Sequence, residues 1–415
     1  MKIAILGAGF AGLAAAHDLV AAGHAVTIYE KAPRAGGAAG GFKLPHWGWH
    51  LDFAYHHLFT SDRDMFMFCQ EIGWSAFITK RPITASVYKS QFSVFNLQNK
   101  KIFKLDSALD LLRFSKLSVV DRIRAGIVLA ALKFGPPLPY YHNHSSYELL
   151  SRLMGKAAWN TLWEPLFSHK YGDYAHRINA MFFWARIHTR TPSLRYPEGG
   201  FQALADYTAA YLQNKGVEIK FQFPITKIKK NNKGLFLIHD EEAYHAVIST
   251  LPSPVFLSIE KNVLPAPYRK RLQGIKYLGA HAVIYETEKP LLSDVYWLSI
   301  ADPTNPWMVL VQHTNFVDPR HFGGHHIAYL ARYANEKLPT IPMPQYAIQN
   351  HFIPYAQPLY TTDYTSHMPH TSPPVADLYF ANMELTYPYD RGTNYAVQVG
   401  RKAAQAVIEG ARERT

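Results

Sequence analysis

A chain of 415 residues exceeds one ordinary core and predicts two domains. The 43 Lys+Arg against 31 Asp+Glu give a net +12, but no basic stripe interleaves with aromatics; this argues against nucleic acid and leaves an acidic substrate, an anionic membrane surface or a solvated basic surface. No uninterrupted apolar run reaches the roughly 18 residues that span a bilayer, and the single cysteine, Cys69, excludes an internal disulfide, so a cytoplasmic setting is expected.

The stretch KIAILGAGFAGLAAAHDLVAAGHAVTIYEKAPRAGG carries the strongest signal. Lys2 to Leu6 predicts a buried parallel strand, the apolar run to Ala22 a helix stopped by Gly23, and Ala25 to Tyr29 a second strand ending at Glu30. Gly7, Ala8, Gly9, Phe10, Ala11 and Gly12 fill G-x-G-x-x-G between strand and helix. Gly7 permits the tight turn, Gly9 lets the backbone approach a pyrophosphate, and Gly12 lets helix and strand close up, with the helix N-terminus facing the phosphates. Glu30 lies 23 positions after Gly7, near the ~20 expected of a carboxylate that accepts from ribose hydroxyls.

The chain continues Lys31-Ala32-Pro33-Arg34-Ala35-Gly36-Gly37. With that segment it resembles the flavoprotein superfamily of amine oxidases, protoporphyrinogen oxidases, phytoene desaturases and UDP-galactopyranose mutases, although many members read Gly-Gly-Arg where this chain has Ala38. The resemblance implies an α/β fold, with a Rossmann-like FAD-binding domain of the glutathione-reductase type assembled from discontinuous segments and a second, mixed α+β substrate domain. It also implies that Lys31, Arg34, Gly36 and Gly37 lie along the diphosphate and ribityl chain of FAD. No cysteine near the C-terminus offers a thioether link, so the FAD is expected to be non-covalent. In LDFAYHHLF, Tyr55, His56 and His57 become candidate catalytic residues beside the flavin ring; if they form a strand, adjacent histidines face opposite ways and at most one points inward.

Residues 108–134 allow two expectations. They are helices packed inside the substrate domain, or a peripheral membrane contact in which Arg122 and Arg124 precede apolar Ile127 to Leu132. In MFFWARIHTRT and LVQHTNF, Arg186, His188 and His313 stand inside apolar runs as candidate substrate-binding groups. Arg186 would clamp a carboxylate or phosphate, or else form a salt bridge between domains. Glu164 and Lys170, among the aromatics of WEPLFSHKYGDY, receive no role.

Further on, YPEGGFQALADYTAAYLQNKGVEIKFQFPITKI predicts a Gly199-Gly200 turn, a helix from Phe201 and a strand from Val217 to Phe223. By resemblance, the backbone after that strand holds the adenine, near Pro224 and Ile225. There is one G-x-G-x-x-G and no second for a nicotinamide, so electrons are expected to come from a small-molecule substrate. The segment LYFANMELTYPYDRGTNYAVQVG predicts a strand from Leu378 to Ala381 and a helix from about Thr393. In relatives Asn382 or Glu384 would lie near the ribityl and phosphate groups. Gly392, Thr393 and Asn394 would turn N–H groups and the positive end of a helix toward flavin N1/O2. Arg391 would face flavin or substrate, and Tyr387 would wall the active site.

The expected cofactor domain comprises residues 1–75, 195–260 and 371–415, and the substrate domain residues 76–194 and 261–370. The leading expectation is an FAD-dependent oxidoreductase that takes hydride to flavin N5. The alternatives are a mutase-like isomerase using reduced flavin, and a flavin-bearing binding protein. No metal ligands are assigned.

Overall fold

Ile3, Ala4, Ile5 and Leu6 are fully buried because the sheet they enter is covered on both faces. The structure, a computed structural model, describes residues 1–88, 101–302, 305–334 and 347–413. Strands β1 (Lys2–Leu6), β2 (Ala25–Tyr29), β3 (Glu218–Lys220), β4 (Ala246–Ser249) and β5 (Leu378–Phe380) form a parallel sheet in the order β3-β2-β1-β4-β5. Side chains alternate across it. Ile3 and Ile5 join the core shared with helices α1 (Phe10–Ala21), α2 (Phe201–Asn214) and α3 (Thr393–Arg412), whereas Ala4 and Leu6 join the core of Phe236, Tyr244 and Phe256. The chain runs outward from β1 to β2 and β3, then returns to β4 and β5 on the other side. The order therefore reverses between β1 and β4, and a crevice opens at their carboxyl ends.

Helix α3 buries Val397, Gly400, Ala403, Ala404 and Val407 on one face, the spacing of an amphipathic helix. It meets α1 at backbone contact: a Cβ on Gly400 would lie 2.1 Å from the Ala11 carbonyl oxygen. Arg401 adds a polar clasp at the edge of this contact, donating to Asp18 on α1 at 3.0 Å and to Glu71 of the helix Arg63–Glu71 at 3.0 Å.

A second sheet has seven strands in the order 347–358, 277–287, 326–333, 309–312, 295–301, 83–88 and 102–104. It is antiparallel except where Val295–Ala301 pairs with Ile83–Tyr88. Helices between residues 108 and 189 pack beside it. The strand expected over 217–223 is shorter, Glu218–Lys220, because the chain turns at Gln222 (φ 54°) so that Gln222 and Phe223 donate to the carbonyls of Ala32 and Glu30 at 3.0 and 2.9 Å. Tyr55, His56 and His57 are irregular rather than strand, so strict alternation does not govern them.

Filling the α1–α3 contact should be costly. Gly400→Ala is expected to lower unfolding free energy by about 1–3 kcal/mol, the usual cost of overpacking, measured by urea denaturation; an unchanged midpoint would mean the helices separate freely.

Candidate functional site

The crevice between β1 and β4 begins with the glycine turn. A Cβ on Gly12 would lie 2.1 Å from the Gly7 carbonyl oxygen, so only glycine lets α1 start this close to the strand. The second glycine segment lies alongside: Gly36 N donates to the Ala8 carbonyl at 3.0 Å and bridges to Gly9, and Gly37 Cα is 3.8 Å from where a Gly9 Cβ would stand. Gln202, at the start of α2, fastens this segment, accepting from Gly41 N and donating to the Ala35 carbonyl, each at 2.9 Å. Phe10 and Ala11 are buried, Phe10 against the edge of Phe201.

Glu30 is buried, and each of its oxygens accepts one backbone N–H, from Ala8 and from Ala32, both at 2.8 Å. A carboxylate oxygen has a second lone pair, so ribose hydroxyls still find acceptors there. The turn at Gln222 brings Pro224 and Ile225 beside the same segment. Lys31 is exposed, and Arg34 is engaged by Asp206 of α2 and by His50, the latter at 3.0 Å.

The opposite wall comes from β4, β5 and α3. Three buried polar atoms without hydrogen-bond partners belong to these elements or the residues beside them: Ser249 Oγ at the end of β4, Asn382 Oδ1 just after β5, and Thr393 Oγ1 in the first turn of α3. Buried polar atoms are normally paired. Together with the glycine cradle and the helix N-termini, these orphans fit a dinucleotide cofactor with polar groups along its length. Asn394 is spoken for, since its Oδ1 accepts from Met65 N at 3.0 Å. Glu384 is fully buried and its carboxylate is saturated: Oε1 accepts from Ser253 N at 2.7 Å and Tyr277 Oη at 2.6 Å, and Oε2 from Ser253 Oγ and Asn382 Nδ2. It braces the β4 and β5 loops, whereas Asn382 Oδ1 is left unpaired.

Beside the start of α3 lies a cluster of charged and aromatic side chains. Arg391 donates to Gln357 Oε1 at 2.6 Å and lies over the Tyr333 ring, 5.2 Å from its centroid. Arg186 from helix Ala180–Thr189 pairs with Asp390. The Arg186 side chain keeps 40% of its surface reachable, so part of its guanidinium remains open to a ligand. Tyr55 shares that environment, feeling Tyr333, Arg391 and Arg186, with its ring against the edges of Trp297 and Tyr329. Lys170, which the sequence left without a role, sits over the rings of Tyr171, Phe182 and Tyr333. Burial first, and Arg186 second, hold its ammonium pKa well below the usual lysine range.

His56 and His57 are both neutral at pH 7, because burial lowers their pKa values to about 4 and about 3. His56 Nδ1 is 2.6 Å from the Ala54 carbonyl, an acceptor only, so Nδ1 carries the proton and Nε2 keeps a lone pair. The remaining expected substrate groups do not join Arg186. His188, two residues on and so across the helix, bonds the Lys133 carbonyl at 3.0 Å and stacks on Trp184. His313 is 0% exposed among the rings of Tyr196, Phe322 and Tyr329, which leaves it no surface for a substrate. The Tyr387 hydroxyl is taken by Asn179 at 3.0 Å and His142 at 2.9 Å.

Comparison with known proteins agrees with this geometry. The sequence profile of the family described as flavin containing amine oxidoreductase matches residues 10–408, and the chain belongs to that family. Its cofactor is FAD. A 73-residue stretch is 42% identical to a protein of Synechococcus elongatus described as a probable zeta-carotene desaturase, covering 18% of this chain and 15% of that one. The alignment thus spans under a sixth of that relative's length. Over the whole fold, an oxidoreductase from Methanosarcina mazei superposes with TM-score 0.73 at 17% identity, covering 99% of this chain and 100% of that one. Reduced UDP-galactopyranose mutase gives TM-score 0.73 at 16% identity, covering 98% and 95%.

The buried histidine makes an acid prediction. Burial lowers the pKa of His313 to about 3, below the ~6.5 of an unfolded histidine, so between those values the unfolded chain binds the extra proton and stability falls as pH falls. Moving from pH 7 to pH 5 should therefore cost the wild type roughly 2 kcal/mol more than His313→Phe, as read by urea unfolding at the two pH values.

Proposed function

We propose that the protein is an FAD-dependent oxidoreductase that removes hydride from a small organic substrate bearing a carboxylate or phosphate. What supports this reading above all is the cation excess in the cluster at the start of α3. Even without a charge on Lys170, Arg186 and Arg391 face one carboxylate, Asp390, among the described residues. Such a cluster disfavours an ammonium substrate and has a guanidinium to spare for an anion.

In this proposal the glycine turn and the N-terminus of α1 hold the pyrophosphate, Glu30 the ribose, and the backbone near Ile225 the adenine. Asn382, Thr393 and the N–H groups opening α3 hold the flavin end. Bound there, FAD supplies the hydride acceptor. Arg391 and Arg186 orient the substrate through its anionic group, and Tyr55 gives it an aromatic surface beside them. Oxidation also releases a proton, and His56 Nε2, a neutral base whose tautomer is set by the Ala54 carbonyl, is at hand for it; Lys170, whose ammonium is destabilised by burial, is a second candidate.

Anaerobic mixing of the yellow protein with donor pairs that differ only in an acidic group should bleach the flavin faster with the acid-bearing member. Arg391→Met should raise KM for that donor by about tenfold or more, the loss of one charge-assisted contact worth roughly 1.5–3 kcal/mol, with flavin content unchanged. Bleaching that is indifferent to the acidic group defeats the substrate class. A protein that takes up no FAD defeats the whole proposal.

A second part of the proposal is peripheral docking on an anionic membrane. Among the described residues, no helix is long and apolar enough to cross a membrane. Helix Val119–Phe134 nonetheless turns Val120 (74% exposed), Ile127 (66%) and Phe134 (84%) to solvent. Beside them is a groove of about 360 Å³ lined by Val120, Ile123, Arg124, Ile127, Val128 and Leu153. Exposed Arg113, Lys116 and Arg124 and the net +12 of the chain complement acidic headgroups. The protein should co-sediment with phosphatidylserine-containing vesicles, and Val120→Asp/Ile127→Asp should abolish this while leaving it folded and yellow; equal recovery of both in the supernatant counts against docking.

A further inference from the structure

We propose that His46, Glu286 and His325 form a binding site for a first-row divalent cation, zinc above all, apart from the cofactor crevice. The three come from distant parts of the chain, and the second sheet assembles two of them. In the antiparallel pair 277–287 with 326–333, Glu286 stands opposite Ile327. His325 directly precedes the strand His326–Tyr333, just after the Gly323-Gly324 turn, and its side chain reaches Glu286. The loop after the second glycine segment then brings His46 across. Its Nε2 is 2.7 Å from Glu286 Oε1, and His325 Nδ1 is 3.2 Å from the same oxygen.

Several details favour a metal over an ordinary surface ion pair. One ligand atom from each residue lies within 4.8 Å of the others. Two imidazoles and one carboxylate are a donor set that suits zinc, with a position left for water. The carboxylate is held in place by Trp47, whose Nε1 donates to the same oxygen, Glu286 Oε1, at 2.8 Å, as neighbouring groups commonly orient metal ligands. His325 Nδ1 is a buried atom that makes no hydrogen bond despite its closeness to Glu286. The two imidazoles meet edge to face with centroids 5.6 Å apart. Gly323 makes room for them: its φ is +70°, and a Cβ there would lie 3.0 Å from His46 Cδ2.

Tetrahedral zinc holds its ligands about 3.3 Å apart, so His46 needs to retreat by a few tenths of an ångström, which its half-exposed side chain permits. The comparison with His17, Asp18 and Glu71 is instructive. Those atoms are equally close, but Arg401 already spans both carboxylates, and a cation would have to displace it. Among the described residues no lysine or arginine pairs with Glu286.

The test is zinc titration, by calorimetry, of untagged FAD-loaded protein freed of metal with a chelator and dialysed. One equivalent should bind saturably and raise the melting temperature. Glu286→Gln and His46→Ala should each abolish that heat while keeping flavin absorbance and a cooperative melt, and Trp47→Phe should weaken binding by about ten- to a hundredfold. Absence of saturable binding to the wild type overturns the proposal. So does unchanged binding to the folded double variant Glu286→Gln/His46→Ala, which would put the zinc on other histidines.

Discussion

Helices α1 and α3 touch backbone to backbone, and this contact sets where their N-terminal ends stand. Gly400 of α3 lies against the Ala11 carbonyl of α1, and the Arg401 clasp closes the same seam. From that contact the rest follows. α1 begins at the carboxyl end of β1, and α3 begins just beyond β5, so the two helix starts flank the crevice where the strand order reverses. Their unpaired N–H groups and aligned dipoles give a site for negative charge before any side chain is counted.

Charge is then distributed unequally around the crevice. On the sheet side the carboxylates are engaged by the protein: Glu30 in part, by one backbone amide on each oxygen, and Glu384 fully, by Ser253, Tyr277 and Asn382. On the far side guanidiniums prevail, with Arg186 tied to Asp390 and Arg391 to the neutral amide of Gln357. An Arg held by an amide keeps its full charge for something else. Because the Arg186–Asp390 pair joins helix Ala180–Thr189 to the loop just before α3, the same guanidinium fixes that helix against the segment that opens α3.

The sequence made the backbone frame legible where the signal is local. The Lys2–Leu6 and Ala25–Tyr29 strands, the helix from Phe201 and the helix from Thr393 each follow from glycine punctuation and apolar period, and they stand where those patterns put them. Roles that depend on distant partners were not legible. Lys170 looked inert because Tyr333, Arg186 and Asp390, which make its surroundings unusual, lie elsewhere in the chain. His313 looked polar enough for a substrate, yet aromatic rings enclose it completely. A histidine among apolar residues reads the same whether it ends in a cavity or in a core. Helical spacing did carry one unused hint: His188 stands two residues from Arg186 and so cannot share its face.

The parallel sheet has a consequence for how the protein comes into being. On a ribosome, β1 to β3 can form early, but the outer edge of β4 stays open until β5, hundreds of residues after β1, arrives to pair with it. Until then Val247 and Ile248, fully buried in the finished protein, belong to an unprotected strand of the kind that recruits neighbouring chains. Pairings so distant in sequence form slowly. The segment that completes the crevice is thus also the one that ends the period of aggregation risk, and a ligand bound there as proposed could not shorten that period, since half of the crevice is still unmade.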